Sequence, residues 1–88
     1  MGVIDSIEDE DGKFVLTVYP NPSSDVLYIE VSNDYIGTEF ILSDINGRLV
    51  KVLNINSART SLDVNSLEQG VYILSAKKLN RSLQVVIQ

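Results

Sequence analysis

The feature that most constrains this chain is a period-two alternation of apolar and polar residues, repeated between closely spaced turn signals. Asp25 to Ser32 sets Leu27, Ile29 and Val31 opposite Tyr28, Glu30 and Ser32, and Ser82 to Gln88 alternates Leu83, Val85 and Ile87 in the same way. Successive side chains of an extended chain point to opposite faces, so this pattern specifies strands with one buried face. Further extended runs cover Lys13 to Tyr19, Glu39 to Ile45, Arg48 to Leu53 and Thr60 to Val64. Val71 to Lys77 is apolar on both faces, with Val71 and Ile73 against Tyr72, Leu74 and Ala76, as suits a central strand. No stretch holds a 3.6-residue period. Seven short strands separated by turns every 8 to 12 residues or so predict an all-β fold. The expected form is a seven-stranded immunoglobulin-like Greek-key β-sandwich, because two facing sheets bury many one-sided strands at once.

Length and charge narrow the functions open to such a fold. The 88 residues make one domain, whose core must be aliphatic because Trp is absent and only Phe14, Phe40 and four tyrosines supply rings. A net charge of −5, from 7 cations and 12 carboxylates, argues against nucleic acid and against an anionic membrane surface. No apolar run approaches the roughly 20 residues that cross a bilayer. The chain contains no cysteine, which removes disulfides, thiolate metal sites and cysteine nucleophiles. It contains no histidine, which removes the usual general base and metal ligand. Asp25, Asp44 and Asp63 fall at strand ends and turns, where side-chain-to-backbone hydrogen bonds account for them. No enzyme, cofactor or small-molecule substrate is expected.

Ile4 to Gly12 is acidic and poor in core residues, so residues 1–12 read as a linker ahead of a domain at 13–88. Met1-Gly2 with Ser6 fits a weak myristoylation pattern or a simple chain start. Asp9, Asp11 and Gly12 echo part of a calcium loop, but its first ligand would fall on Ile7 and its closing glutamate on Val18. Solvated acidic linker is the simpler reading. Tyr28, facing away from Leu27 and Ile29, and Tyr35, in a turn, could offer a thin sugar-binding platform or be ordinary surface tyrosines.

Three local motifs carry more information. In Tyr19-Pro20-Asn21-Pro22-Ser23-Ser24-Asp25, Pro20 removes a ladder donor and is expected to end the first strand. Pro22 extends Asn21, and Asn21 and Asp25 are expected to bond nearby backbone, giving a rigid crossover. Asn46-Gly47 is expected to close a hairpin through a type I′ turn with positive φ at both positions. Leu67-Glu68-Gln69-Gly70-Val71-Tyr72 has the spacing of a tyrosine corner, with Leu67 plugging the sandwich end, Gly70 supplying backbone freedom and the Tyr72 phenol bonding back to the preceding backbone.

Taken in order, these landmarks resemble one family. Tyr19-Pro-Asn-Pro22, Asp25-Val-Leu-Tyr-Ile29, Asp44-Ile-Asn-Gly-Arg-Leu-Val50, Leu62-Asp-Val64 and Leu67-Glu-Gln-Gly-Val-Tyr-Ile-Leu74 are similar to the Por (type IX) secretion system C-terminal sorting domain, from about Phe14 to Gln88. The resemblance implies a domain at the C-terminal end of a secreted cargo protein. That cargo would lie N-terminal in the parent chain and enter the periplasm by its own signal. The type IX outer-membrane secretion machinery would then recognise the domain, and a sortase-like peptidase would generally remove it. The cargo would be released or joined to anionic lipopolysaccharide at the cell surface.

Carried over by position, the motif residues are Pro20, Asn21, Pro22, Asp44, Asn46, Gly47, Arg48, Leu67, Gly70 and Tyr72, most of them expected to hold the fold. Recognition would concentrate on the last strand, Leu83, Gln84, Val85, Val86, Ile87 and Gln88, which lacks the lysine often found near such tails. Ser43 stands where relatives often have an aromatic residue, which is expected to weaken packing on that face. The chain stops inside its last apolar strand, as expected of a domain placed last in its parent. An accessory binding module of fibronectin or carbohydrate-binding type, acting through Tyr28, Tyr35 or a sheet edge, is the alternative, and a plain structural spacer is a third.

Overall fold

The computed structural model describes residues 3–8, 11–78 and 81–88. Met1-Gly2, Asp9 of the calcium-loop echo and Asn80 of the last turn lie outside the described residues. Every strand pairing is antiparallel, and the strands form two four-stranded sheets. The first sheet runs in the order β1 (Val3–Glu8), β2 (Phe14–Asn21), β3 (Val26–Val31), β6 (Arg59–Asp63). The second runs β5 (Leu49–Asn54), β4 (Glu39–Asp44), β7 (Gly70–Ala76), β8 (Ser82–Ile87). A 3₁₀ turn at Asn33–Tyr35 carries the chain from β3 across to β4. Among the described residues, no helix is long and apolar enough to cross a membrane.

Among the described residues the strands number eight, not seven. The added strand, β1, comes from the segment expected to be linker. It pairs with β2 over Asp5↔Val18, Ser6↔Thr17 and Ile7↔Leu16, and it buries Ile7. Main-chain pairing along the edge of β2 needs few apolar residues, so an acidic, core-poor segment can still be a strand.

The predicted alternation governs burial. Leu27, Ile29 and Val31 of β3 face inward while Tyr28 and Glu30 face outward, and Val85 and Ile87 of β8 are buried. These side chains join Leu16 and Val18 of β2, Phe40 and Leu42 of β4, Leu62 of β6, and Tyr72, Leu74 and Ala76 of β7 in one core shared by both sheets. Burying each large aliphatic side chain contributes about 1.5–3 kcal/mol. Ser43 sits on the outward face of β4, across from Leu49 and Ile73, so its small side chain takes no packing from this core.

Pro20 does not end β2, which continues to Asn21. The last rung with β3 is Tyr19↔Tyr28, and on the other side the β1 pairing jumps from Asp5↔Val18 to Val3↔Asn21. Pro20 therefore falls in a bulge, where its missing N–H costs no ladder bond.

The Asp44–Arg48 hairpin also departs from expectation. Among the described residues only glycines have positive φ, so Asn46 does not, and a type I′ turn is excluded. The Gly47 N–H donates to the Asp44 carbonyl at 3.0 Å, and Gly47 itself takes φ +86°. This is the longer hairpin form, in which the four-residue turn Asp44–Gly47 ends on a left-handed glycine that restores the strand twist. Asp44 favours it because its carboxylate accepts both the Asn46 and Arg48 N–H groups, each at 2.9 Å.

Candidate recognition end of the sandwich

The three motifs, separated by up to fifty residues in sequence, meet at one end of the sandwich. Register explains why. Asp44 of β4 lies opposite Tyr72 of β7, Tyr72 opposite Val85 of β8, and Gly70 opposite Ile87. The hairpin after β4, the corner before β7 and the end of β8 thus share a level.

The crossover from β2 to β3 reaches the same level from the other sheet. Asn21 is buried, and its side chain spans to β8 rather than to nearby backbone as expected: Nδ2 donates to the Gln84 carbonyl at 3.0 Å, and Oδ1 accepts the Val86 N–H at 2.8 Å. Two residues on, Ser23 continues the pairing through main-chain groups. Its N–H donates to the Val86 carbonyl at 2.9 Å, and its carbonyl accepts the Gln88 N–H at 2.8 Å. Ser23 is itself buried, with Oγ donating to the Val26 carbonyl at 2.8 Å. The Asn21 side chain and the Ser23 backbone together act as a short extra strand on the free edge of β8. An unpaired strand edge invites association, and this cover removes it along the last five residues of the chain. Asn21 lies between Pro20 and Pro22, neither of which has an N–H, so the polar duty passes to its amide. Both X–Pro bonds of this segment are cis.

The corner is formed as its spacing predicts. The Tyr72 hydroxyl donates to the Glu68 carbonyl at 2.6 Å, and Leu67 packs against the core. Leu67, Gly70 and Tyr72 line a shallow groove of about 430 Å³ together with Asp44 and Arg48. On the opposite wall Arg48 Nε pairs with Asp44 Oδ2 at 3.2 Å, with the guanidinium largely in solvent. The Arg48 backbone N–H is the main cause that holds the Asp44 carboxyl below its ordinary value; desolvation opposes it, and the Asn46 N–H and the guanidinium add to the lowering. At 84% exposure of the arginine side chain this ion pair contributes little to stability. The groove holds a carboxylate already satisfied by its own turn, an exposed guanidinium and apolar walls.

The tyrosines expected to form a sugar platform do not stand together. Tyr28 lies on the outer face of the first sheet, 5.4 Å from the Tyr19 ring, with the Arg59 guanidinium 4.4 Å over it. Tyr19 in turn donates its hydroxyl to Glu30, the chief reason its phenol titrates above the ordinary value. Tyr35 packs against the core near the start of β4 and carries Lys78 over its ring at 4.9 Å. The Tyr28 and Tyr35 rings each already carry a basic side chain of the protein over them.

Asp63 accepts the Asn65 N–H on its carboxylate at 2.9 Å, as its place at a strand end predicts, whereas Asp25 acts through its main chain, its backbone carbonyl accepting the Val64 N–H at 2.9 Å. Ser23 was not singled out by sequence reasoning. Its only signal was its place directly after the Pro-Asn-Pro triplet. Along β8 the inward residues Val85 and Ile87 are core, Leu83 is half-buried, and Gln84, Val86 and Gln88 present their side chains away from it.

Comparison with known proteins gives one family match. A family model described as the secretion system C-terminal sorting domain matches residues 17–88, which contain all three motifs and the whole of β8. No curated protein and no solved structure matches the chain. That family is a sorting-signal family and not an enzymatic one, and its members work with the type IX machinery on a cargo carried N-terminal to them. The match covers most of the chain, so the protein belongs to the type IX (Por) secretion system C-terminal sorting domain family.

Proposed function

We propose that this domain is the export address of a cargo protein and that the type IX outer-membrane machinery reads it at the motif end, along β8 from Leu83 to Gln88. The observation that carries this reading is the four-bond cover of the β8 edge by Asn21 and Ser23. It holds the terminal strand in one defined position, so that its outward residues Gln84, Val86 and Gln88 form a fixed surface. After passage through the periplasm and across the outer membrane, a sortase-like peptidase removes the domain, and the cargo is released or joined to surface lipopolysaccharide. The fold suits a tag. Its order β2-β3-β6 against β5-β4-β7-β8 supports the immunoglobulin-like Greek-key reading, with β1 added beside β2.

The test is a reporter fused behind a periplasmic signal peptide and ahead of this domain, in a type IX-competent host. The intact fusion should reach the medium or the cell surface, with the mature reporter lacking the domain. Removing Leu83 to Gln88 should strand it in the periplasm, and Gln84→Ala with Gln88→Ala should lower export in a domain that still melts normally. Full export of both altered fusions would remove the proposal.

A further inference from the structure

The two outer faces of the sandwich differ in kind. The first sheet presents Tyr19, Tyr28, Glu30 and Arg59, a charged surface whose groups already engage one another. The second sheet presents Ile41, Leu49, Val52, Val71, Ile73 and Val86 in adjoining rows. Leu49 is 58% exposed, Val52 47% and Val71 37%, while Ile41, Ile73 and Val86 are half-buried by these neighbours. The positions between them hold serine and glutamine, so the centre of this face carries no charge. In a chain with 19 charged residues among 88, an uncharged sheet centre of this breadth, with Glu39 only at its margin, is a departure that burial of the core does not explain.

Resting on the proposed export function, we propose that this outer face of β5-β4-β7-β8 is the surface on which a component of the export machinery docks, through an uncharged, apolar protein surface of its own. Size decides for a transient partner over a permanent second copy. Two rows of side chains across four strands and a third across β7 and β8 cover on the order of 300 Å², from the usual strand spacing and rise. Stable complexes bury about 800 Å² on each side, whereas short-lived encounters use less. A patch of about this size is often functional on a monomer. A signal carried by every cargo molecule must be released after use, which a small dry contact permits. The face includes Val86 and adjoins the covered end of β8, so one docking event would engage both.

The test places single charges on exposed positions of this face, Val52→Glu, Val52→Lys and Leu49→Glu, with Ser61→Glu on the other sheet as control, in the reporter fusion. Desolvating a charge of either sign opposes an apolar contact, so all three should lower export by about tenfold or more while the control exports normally. Melting temperatures of the isolated domains confirm that each variant folds. Normal export of the folded variants overturns the proposal. So does loss with only one sign of charge, which would mark electrostatic steering. If the wild-type domain forms dimers in sedimentation that Leu49→Glu dissolves, the occupant is a second copy and the proposal also falls. Failure of the wild-type fusion itself to leave the periplasm would instead refute the export function on which the docking face rests.

Discussion

Replacing Asn21 by alanine tests whether the crossover and the last strand form one unit. The substitution deletes both side-chain hydrogen bonds, at 3.0 and 2.8 Å, and leaves the Gln84 carbonyl and Val86 N–H without those partners. A typical intramolecular hydrogen bond contributes about 1 kcal/mol net, so the pair accounts for about 2 kcal/mol. For a domain of this size that corresponds to a fall in melting temperature of about 8–16 °C. It is a large share of the stability of a small domain, which amounts to roughly 0.05–0.15 kcal/mol per residue. Urea unfolding should show a lower midpoint at an unchanged slope, since the surface exposed on unfolding stays the same. Amide exchange at Val86 should quicken more than exchange in the centre of β3, because the lost bond is local. Asn21→Asp sharpens the argument. At neutral pH its carboxylate keeps an acceptor for Val86 but lacks a donor for Gln84 and faces that carbonyl with a charge. On acidification the protonated form regains a donor, so this variant should recover stability relative to wild type as its carboxyl protonates. An alanine variant within about 0.5 kcal/mol of wild type, with unchanged Val86 exchange, would refute the reasoning, since ordinary surface substitutions fall in that range.

Two further outcomes follow from the same end of the molecule. Tyr72→Phe keeps the buried ring but removes the donor to the Glu68 carbonyl, so it should cost about 1 kcal/mol, read as a fall of about 4–8 °C in melting temperature. Asp44 has its folded-state pKa lowered by the N–H groups of its turn, so its contribution is present above the ordinary carboxyl value of 3.8 and is lost as pH falls through the lower folded value. Melting curves taken from pH 5 downward should therefore show an acid-dependent loss that Asp44→Asn lacks.

Much of the architecture was legible because burial in a sheet follows parity. Leu27, Ile29, Val31, Val85 and Ile87 point inward as their alternation requires, whatever the strands pair with. The tyrosine corner was legible for a related reason: the spacing from Glu68 to Tyr72 is local, so one bond closes it. β1 was hidden because Asp5, Ser6 and Glu8 interrupt its apolar residues, while its pairing with β2 is made by the main chain, which does not depend on side-chain type. The hairpin at Asn46-Gly47 was placed correctly but its form was not, since the Asp44 carboxylate supplies two N–H partners that favour the longer turn.

The sequence by itself determined an aliphatic two-faced set of strands, the positions of their turns, and the absence of histidine and cysteine chemistry. Tertiary structure alone decided where the Pro-Asn-Pro crossover acts. Asn21 finds its partners 63 and 65 residues away, and nothing in local spacing encodes a contact that exists only after two sheets have stacked with the end of β2 beside the edge strand β8. The same holds for the uncharged centre of the outer face, which is assembled from β4, β5, β7 and β8 by strand register. Parity is a property of the chain, but adjacency is a property of the packed fold.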